Sequence, residues 1–392
     1  MNKIKFGLVK GPGLPAWEAQ LHEKLTTYGM DGVAICSKDN VFNTSSIKMP
    51  IRKLWRLEQF VKIPFLSKII QMIYPFRDYM MGFKKNVNDL DLLHTTETFN
   101  VFSKQCVDSG KPTIVTVCGN FPYNFRRGEY DYIDEYVKKR AKHFIVLTDY
   151  GKEMLILEGV NEKKISVIPH AIDSDKFIPM KKDEELMKDY GISDKNKVIF
   201  YAGELVEHKG IRALIFAFYK LVKKDKNLIL IIAGNGPMKK DILFWAKKLG
   251  FEKNIKFSGY IPYLEMPKLY NLCDVFCLPS TLLNKSFFHT AIQEQFGYVL
   301  IEAMSCGKPV VSTLVGSIPD VVDDGKTGLL VPPANWLKLS EALEKIIYNK
   351  KLAEKMGKEG RKKVLDFYDS NIVAKKIARV YENVLKPNQE HK

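Results

Sequence analysis

The chain has 392 residues, which at roughly 150 residues per domain points to two domains. Hydrophobic residues make up 46% and charged residues 27%, ordinary globular usage that excludes wholesale disorder, a collagen-like repeat and a long coiled coil. Lysine and arginine number 61 against 45 acidic residues, a net charge of +16 spread over both halves; it suits an anionic partner such as nucleic acid, a phospholipid surface or a phosphorylated substrate without choosing among them.

In chain order, residues 4–9 (IKFGLV) predict a first strand, broken by Gly11-Pro12-Gly13. The run meets glycine and proline too soon for a signal peptide and reads as a buried strand. Trp17–Tyr28 predicts a helix with Trp17, Leu21 and Leu25 on its apolar face. Strands follow at Gly32–Cys36, Leu90–His94, Pro112–Cys118, Phe144–Leu147 and Ile165–Pro169, with helices around Asn100–Ser109 and Tyr130–Lys142. Residues 173–197 are charged and carry little apolar periodicity, as an interdomain linker with some helix would. The second half alternates more cleanly. Strands at Val198–Ala202, Leu228–Ala233, Ile255–Ser258, Asp274–Leu278 and Pro309–Ser312 are separated by helices at Gly210–Lys224, Met238–Leu249, Glu265–Leu272 and Tyr298–Cys306. Strands that are apolar throughout and alternate with helices predict parallel sheets covered on both faces. The expected fold class is therefore α/β, two Rossmann-like domains facing each other across a cleft, with ligands at the carboxyl ends of the strands.

Simple chemistries find little support. The six cysteines (Cys36, Cys106, Cys118, Cys273, Cys277 and Cys306) form no C-x-x-C pair, and no H-E-x-x-H occurs, so buried reduced thiols and no zinc site are expected. The longest apolar runs, such as Leu228–Gly234 and Gly328–Pro333, fall far short of the ~20 residues of a membrane span.

Three places at second-half strand ends could carry chemistry. In Y-A-G-E-L-V-E-H-K-G (201–210), Gly203 ends a strand and Lys209 stands at a helix start, contrary to the helix dipole unless an anion lies nearby. An exposed lysine tolerated there is the plainer alternative. In A-G-N-G-P (233–237), Gly236 belongs to a sharp turn that suits a ligand contact and a plain tight turn equally. In E-Q-F-G-Y-V-L-I-E-A-M (294–304), Glu294 lies in a loop, Gly297 opens a helix, and Glu302 sits within an otherwise apolar helix. A buried carboxylate needs hydrogen-bond donors, which a sugar diol supplies, and a helix start offers N–H groups to a phosphate. One ligand with phosphates flanked by sugars would satisfy all these groups, while two carboxylates on a solvated rim are the alternative.

These motifs, taken in order, resemble the family 4 glycosyltransferases, retaining nucleotide-sugar enzymes of the GT-B fold. The resemblance covers most of residues 90–385 and is strongest from 198 to 333. Besides the Glu294/Glu302 pair it rests on V-I-P-H-A-I-D (167–173), N-I-K-F-S-G-Y-I-P (254–262), D-V-F-C-L-P-S (274–280) and V-G-S-I-P-D-V-V-D-D-G-K-T-G-L-L-V (315–331). T-E-T-F-N-V-F-S-K-Q (96–105) looks like one subgroup of the family. The resemblance implies an acceptor-side domain at 1–172, a nucleotide-sugar domain at 173–370, and a C-terminal helix at 371–392 crossing back to the first domain. It implies a nucleoside diphosphate sugar as donor substrate, no cofactor and no metal; Asp89-Leu90-Asp91 and Asp173-Ser174-Asp175 are read as structural. Glu302 should hold the donor's ribose and Glu294 the transferred sugar. Lys209, with N–H groups near Gly297, Tyr298 and Val299, should meet the diphosphate. Gly11 and Gly13 would face the phosphate from the first domain, and backbone around Tyr260 and Ile261 the base. Gly203, Gly236 and Phe296 complete the expected site.

The chain departs from the family pattern in three places, one of them Ile292-Gln293 just ahead of Glu294, where the subgroup commonly has tryptophan. Glu204 stands where an arginine often contacts the diphosphate, so that Glu204 must turn away or another cation such as His208 must serve. Cys118 stands where many members have a histidine. Glu204 and Cys118 favour an alternative, a sugar-nucleotide-binding protein without transferase activity. Nucleic-acid binding has no motif beyond the net charge. Residues 48–85 carry nine basic residues (Lys48, Arg52, Lys53, Arg56, Lys62, Lys68, Arg77, Lys84 and Lys85) interleaved with Trp55, Phe60, Phe65, Tyr74, Phe76, Tyr79 and Phe83. This composition suits an interfacial segment on an anionic membrane, and equally a basic-edged helix pair packing its rings inward. The first reading implies a cytoplasmic protein attached peripherally to the inner membrane face, with a lipid-linked or membrane-proximal acceptor such as a glycan or glycolipid.

Overall fold

Strands that are apolar on both faces must be covered on both faces, which places helices on each side of a parallel sheet. The computed structural model describes residues 3–60, 78–119, 131–285 and 290–386. The chain divides into two units, Met1–Pro169 with Ser370–Lys392, and His170–Asp369.

In the first unit, β1 (Ile4–Gly11), β2 (Met30–Ser37), β3 (Ile51–Leu54), β4 (Leu92–Thr96), β5 (Thr113–Val117), β6 (His143–Val146) and β7 (Ile165–Val167) form one sheet. Its order is β3-β2-β1-β4-β5-β6-β7 and every pairing is parallel. The chain runs outward from β1 to β3, returns to the other side of β1, and runs outward again from β4 to β7.

The first helix differs from expectation. It is α-helical over Ala16–Glu23 and continues as a 3-10 turn over Lys24–Tyr28. Its buried face is Ala19, His22 and Leu25, while Trp17 is 40% exposed. His22 can be buried because both ring nitrogens find partners: Nδ1 lies 2.9 Å from the Glu18 carbonyl and Nε2 3.1 Å from His94 Nδ1. His94 in turn lies 2.7 Å from the Tyr381 hydroxyl and 2.7 Å from Thr116 Oγ1. Tyr381 belongs to the last helix, Ser370–Leu385, and its ring packs edge-on against Phe6 at 5.2 Å. This polar network and ring contact seat the C-terminal helix on the first unit.

Of residues 48–85, those at 61–77 lie outside the described residues. The described part is a strand, a 3-10 turn at Leu57–Phe60 and a short helix, Phe83–Asn86. Arg56 is buried and paired with Asp39, Glu58 and Asp78, Arg52 grips Asp89 with two bonds of 2.7 Å, and Phe83 is in the core. Trp55, Tyr79 and Met81 stay exposed beside Lys53, Lys84 and Lys85. Asp91 accepts the Lys5 N–H at 2.7 Å, so Asp89 and Asp91 both serve local structure.

In the second unit, β8 (Lys197–Ala202), β9 (Leu228–Ala233), β10 (Ile255–Gly259), β11 (Val275–Leu278), β14 (Val310–Thr313) and β15 (Gly328–Val331) form a parallel sheet of order β10-β9-β8-β11-β14-β15. A hairpin of β12 (Leu283–Lys285) and β13 (Thr290–Ile292) stands apart from it. β9 is buried at all six positions, as its unbroken apolar run requires. β15, which extends the sheet edge beside β14, was not anticipated, because four residues between turns carry no distinctive period. Helices Ile211–Lys224, Lys239–Lys248, Met266–Leu272, Tyr298–Ser305, Trp336–Ile347 and Lys350–Lys363 complete the unit. The charged stretch before β8 holds one helix, Glu184–Asp189, capped by Asp183 Oδ1 accepting the Leu186 N–H at 3.0 Å.

Candidate active site

The carboxyl ends of β8, β9 and β11 bring together loops that are distant in sequence. After β8 the chain passes Gly203 and Glu204, forms a 3-10 turn at Glu207–Lys209, and enters the helix Ile211–Lys224 through Gly210. Gly210 has φ 68°, and a Cβ there would fall 1.6 Å from the Pro279 carbonyl oxygen, so this start fits only glycine. The close approach holds the Lys209 turn against the loop after β11, where the Thr281 N–H donates to the His208 carbonyl at 2.8 Å.

Lys209 Nζ lies 2.8 Å from Glu294 Oε2, and Ser280 Oγ donates to the same oxygen at 2.8 Å. Ser280 is fully buried and the Glu294 side chain is 8% exposed. The anion that Lys209 called for is thus Glu294 itself, 85 residues away. Glu294's own carbonyl accepts the Ser317 N–H at 3.3 Å, which ties its loop to the start of the V-G-S-I-P-D-V-V segment (315–322).

Four residues beyond Glu294 the helix Tyr298–Ser305 begins, with Gly297 in the left-handed region as its N-cap. Glu302, in its interior, is 4% exposed and accepts the Tyr270 hydroxyl at 2.6 Å. Burial pushes its carboxyl up to about 8, against the opposing pull of the tyrosine bond. Its carboxyl group is therefore mostly protonated at neutral pH in this state. Tyr298 and Tyr263 flank it with hydroxyls 3.4 Å apart, and Tyr298 donates to the Ala171 carbonyl at 2.7 Å. Burial and the nearby Glu302 push both phenols up. Phe296 is buried under His170, ring centroids 5.2 Å apart, and Val299 is half-buried in the first turn of the helix.

The glycine-rich turn after β9 has a structural reason as well. The Leu205 N–H donates to the Asn235 carbonyl at 2.9 Å, and a Cβ on Gly236 would meet the Leu205 backbone at 2.5 Å. Gly234, where a Cβ would fall 2.0 Å from the Gly203 carbonyl oxygen, and Gly236 therefore let two strand-end loops interlock. Glu204 is exposed, with its carbonyl taken by the Tyr201 hydroxyl at 2.9 Å. Tyr260, just past β10, is 81% exposed, and Ile261 is half-buried. Gly11 and Gly13 belong to the first unit, where the Gly13 N–H closes a turn onto the Lys10 carbonyl at 3.0 Å. Cys118, also in the first unit, donates its N–H to Glu97 Oε1 at 3.0 Å.

Ser280 and Tyr270 are site neighbours that sequence reading missed. Tyr270 lies in a stretch marked for helix, Glu265–Leu272, and Ser280 two residues past the strand Asp274–Leu278, inside the quoted motif D-V-F-C-L-P-S but with no role assigned to it. Among the described residues there is no group of three or more His, Cys, Asp or Glu side chains that could hold a metal ion, and no helix long and apolar enough to cross a membrane. The six cysteines are free, and all but Cys118 are buried.

Known proteins share both the sequence pattern and the architecture. N-acetyl-alpha-D-glucosaminyl L-malate synthase of Bacillus anthracis is 29% identical over 56% of this chain and 54% of its own length. The capsular polysaccharide biosynthesis glycosyltransferase CapM of Staphylococcus aureus is 28% identical over 64% of this chain and 62% of its own. The matched part of the chain thus spans little more than half the length of such relatives. HepE of Anabaena, solved in complex with UDP and glucose, superimposes with a TM-score of 0.74 at 18% identity over 97% of this chain and 100% of that one, a likeness that shows the GT-B fold. The family described as "Glycosyl transferases group 1" matches residues 182–363, and "Glycosyltransferase Family 4" matches 44–176. With both halves matched in order by the two family models, and with the fold they imply, the chain belongs to the family 4 glycosyltransferases.

Proposed function

We propose that this chain is a retaining glycosyltransferase that moves a sugar from a nucleoside diphosphate sugar to a hydroxyl of a glycan or glycolipid acceptor. The observation that carries this reading is the Lys209–Glu294 pair, 2.8 Å apart and backed by Ser280, just ahead of the helix that buries Glu302. As the bond between the sugar and the diphosphate breaks, negative charge grows on the leaving phosphate. Lys209 and the N–H groups of Gly297, Tyr298 and Val299 are the groups placed to balance it. Glu294 takes hydroxyls of the transferred sugar and Glu302 those of the ribose, each exchanging a protein partner for the ligand. The backbone near Tyr260 and Ile261 serves the base, and Gly203 and Gly236 keep side chains out of the way. The complexes of HepE with UDP and glucose support a donor of this class. The first unit, to which Gly11 and Gly13 belong, takes the acceptor.

A thermal-shift panel of nucleoside diphosphate sugars tests donor binding, because a ligand that binds only the folded state raises its stability by mass action. Product analysis by NMR then reads the configuration at the transferred carbon. A protein that binds a donor but neither hydrolyses nor transfers it is a binding protein instead, the outcome that Glu204 and Cys118 favour. The exposed Trp55, Tyr79 and Met81 beside Lys53, Lys84 and Lys85 support peripheral attachment at the cytoplasmic membrane face, near a lipid-linked acceptor. Pelleting with anionic vesicles should fall as salt rises, since each near-surface lysine or arginine contributes ~1 kcal/mol. No pelleting at low salt removes the membrane from this reading and leaves the transferase untouched.

A further inference from the structure

Three neighbouring strands of the first sheet end on polar groups at one place. β1 ends past Lys10, β4 runs into Glu97 and β5 into Cys118. β1 and β4 are adjacent, yet the chain leaves them towards opposite edges of the sheet. That makes the gap between them the topological switch point, where open α/β sheets take their ligands.

Glu97 is held there in an unfavourable conformation. Its φ is 57°, and among the described residues Ala334 alone shares a positive φ without being glycine. The turn is over-determined by its neighbours: the Glu97 N–H donates to the Thr116 carbonyl at 2.8 Å, and Asn100 Nδ2 and Ser103 Oγ both donate to the Thr96 carbonyl, at 2.8 and 3.0 Å. Strain that a fold maintains in this way is a mark of a functional position. The carboxylate accepts the Cys118 N–H at 3.0 Å, and burial pushes its carboxyl up to about 7. Lys10 and the Cys118 N–H and thiol pull the other way, and Asp134 adds to the rise. Lys10 is itself buried and committed to Glu18. A carboxylate this desolvated, with an amide and a thiol as its donors, is stabilised by a further donor from outside. Glu97 and Cys118 each keep part of their surface exposed, although the carboxylate itself is desolvated.

We propose that Glu97 anchors the acceptor, its carboxylate receiving a hydroxyl of the acceptor glycan at the carboxyl ends of β4 and β5, next to the switch point between β1 and β4. This rests on the transferase reading for its substrate and on the first unit alone for its geometry. A hydroxyl donor is held best by the ionised carboxylate, so acceptor binding weakens as pH falls through about 7. The charged and titratable groups around Glu97 are Lys10, Glu18, Asp134 and Cys118.

The test compares the full chain with Glu97→Gln and Glu97→Gly, the latter relieving the left-handed backbone while removing the carboxylate. Octyl glucopyranoside, mannopyranoside and galactopyranoside serve as acceptor probes. Their binding is read by saturation-transfer NMR without donor, and their use by transfer from whichever donor the thermal-shift panel selects. Both variants should keep the parent's donor-induced thermal shift and lose roughly 10- to 100-fold in acceptor affinity or KM, the worth of a charge-assisted hydrogen bond. The parent's acceptor affinity should fall below pH 7, and that decline should be absent from Glu97→Gln. Glycoside binding that is unchanged in the variants, or a pH decline that persists in Glu97→Gln, overturns the proposal; so does a parent that binds none of the three. A parent that binds glycosides through Glu97 but no donor speaks against the transferase reading alone.

Discussion

Glu302→Gln should make the second unit more stable and the donor site worse. The side chain is buried in the helix Tyr298–Ser305, and its carboxyl is raised from 4.5 to about 8 by loss of solvent. Between those two values the folded protein holds a proton that the unfolded chain has released. Stability is therefore fully present below pH 4.5 and is lost as pH rises through about 8. At ~1.4 kcal/mol for each tenfold in proton affinity, the loss across that interval is on the order of 4–5 kcal/mol. Glutamine keeps the volume and an oxygen for the Tyr270 hydroxyl but carries no charge. At pH 5 parent and variant should be nearly equal, because the parent's carboxyl is already protonated; at pH 8.5 the variant should be more stable by several kcal/mol. Urea titrations at the two pH values, with the second sheet followed by hydrogen exchange, give both differences. Above pH 8, where the parent's carboxyl is ionised, the same substitution should weaken donor binding by roughly one to two orders of magnitude, since a charge-assisted bond to ribose is worth ~1.5–3 kcal/mol. The reasoning fails if the parent is as stable at pH 8.5 as at pH 5, or if Glu302→Gln loses stability at the higher pH.

Lys209→Ala should lower kcat by roughly 100-fold with little change in donor KM, because its charge is needed most as the diphosphate leaves; a rise in KM alone in steady-state kinetics would make it a uniform binding residue. Ser280→Ala removes a buried donor to Glu294 Oε2 and should cost about 1–2 kcal/mol in chemical denaturation; no measurable loss would mean that the serine bond adds nothing to the hold of the other partners on the carboxylate. His22 and His94 are both lowered by burial, so the unfolded chain takes up protons first as pH falls below 6.5, and the first unit should loosen towards acid. Hydrogen exchange of the Ser370–Leu385 helix, joined to His94 through Tyr381, should quicken between pH 6.5 and 5; a pH-independent rate, corrected for intrinsic exchange, would refute it.

Much of this protein is written locally. The run Leu228–Ala233 has to be a doubly covered parallel strand because six consecutive apolar residues leave no face for water, and it is buried along its whole length. Gly297 opening an apolar helix with a carboxylate inside it is likewise a property of eleven consecutive residues. The first helix shows where local reading stops. Its periodicity selects Trp17 and Leu21 as the inner face, whereas His22 is inside, and it can be inside only because β4 supplies His94 from 72 residues away. The site follows the same rule. Glu294, Glu302 and Lys209 could be named from residue type and spacing, but not that Lys209 would meet Glu294, that Ser280 would share the same oxygen, or that Tyr270 would reach Glu302 across 32 residues. Residue order determines which strands and helices form, because backbone propensity and apolar period act over a few residues. Which charges are paired, which carboxyl keeps its proton and where Glu97 is held in a left-handed turn are decided by tertiary packing, because desolvation and hydrogen bonding depend on neighbours that the chain brings in from far along its length.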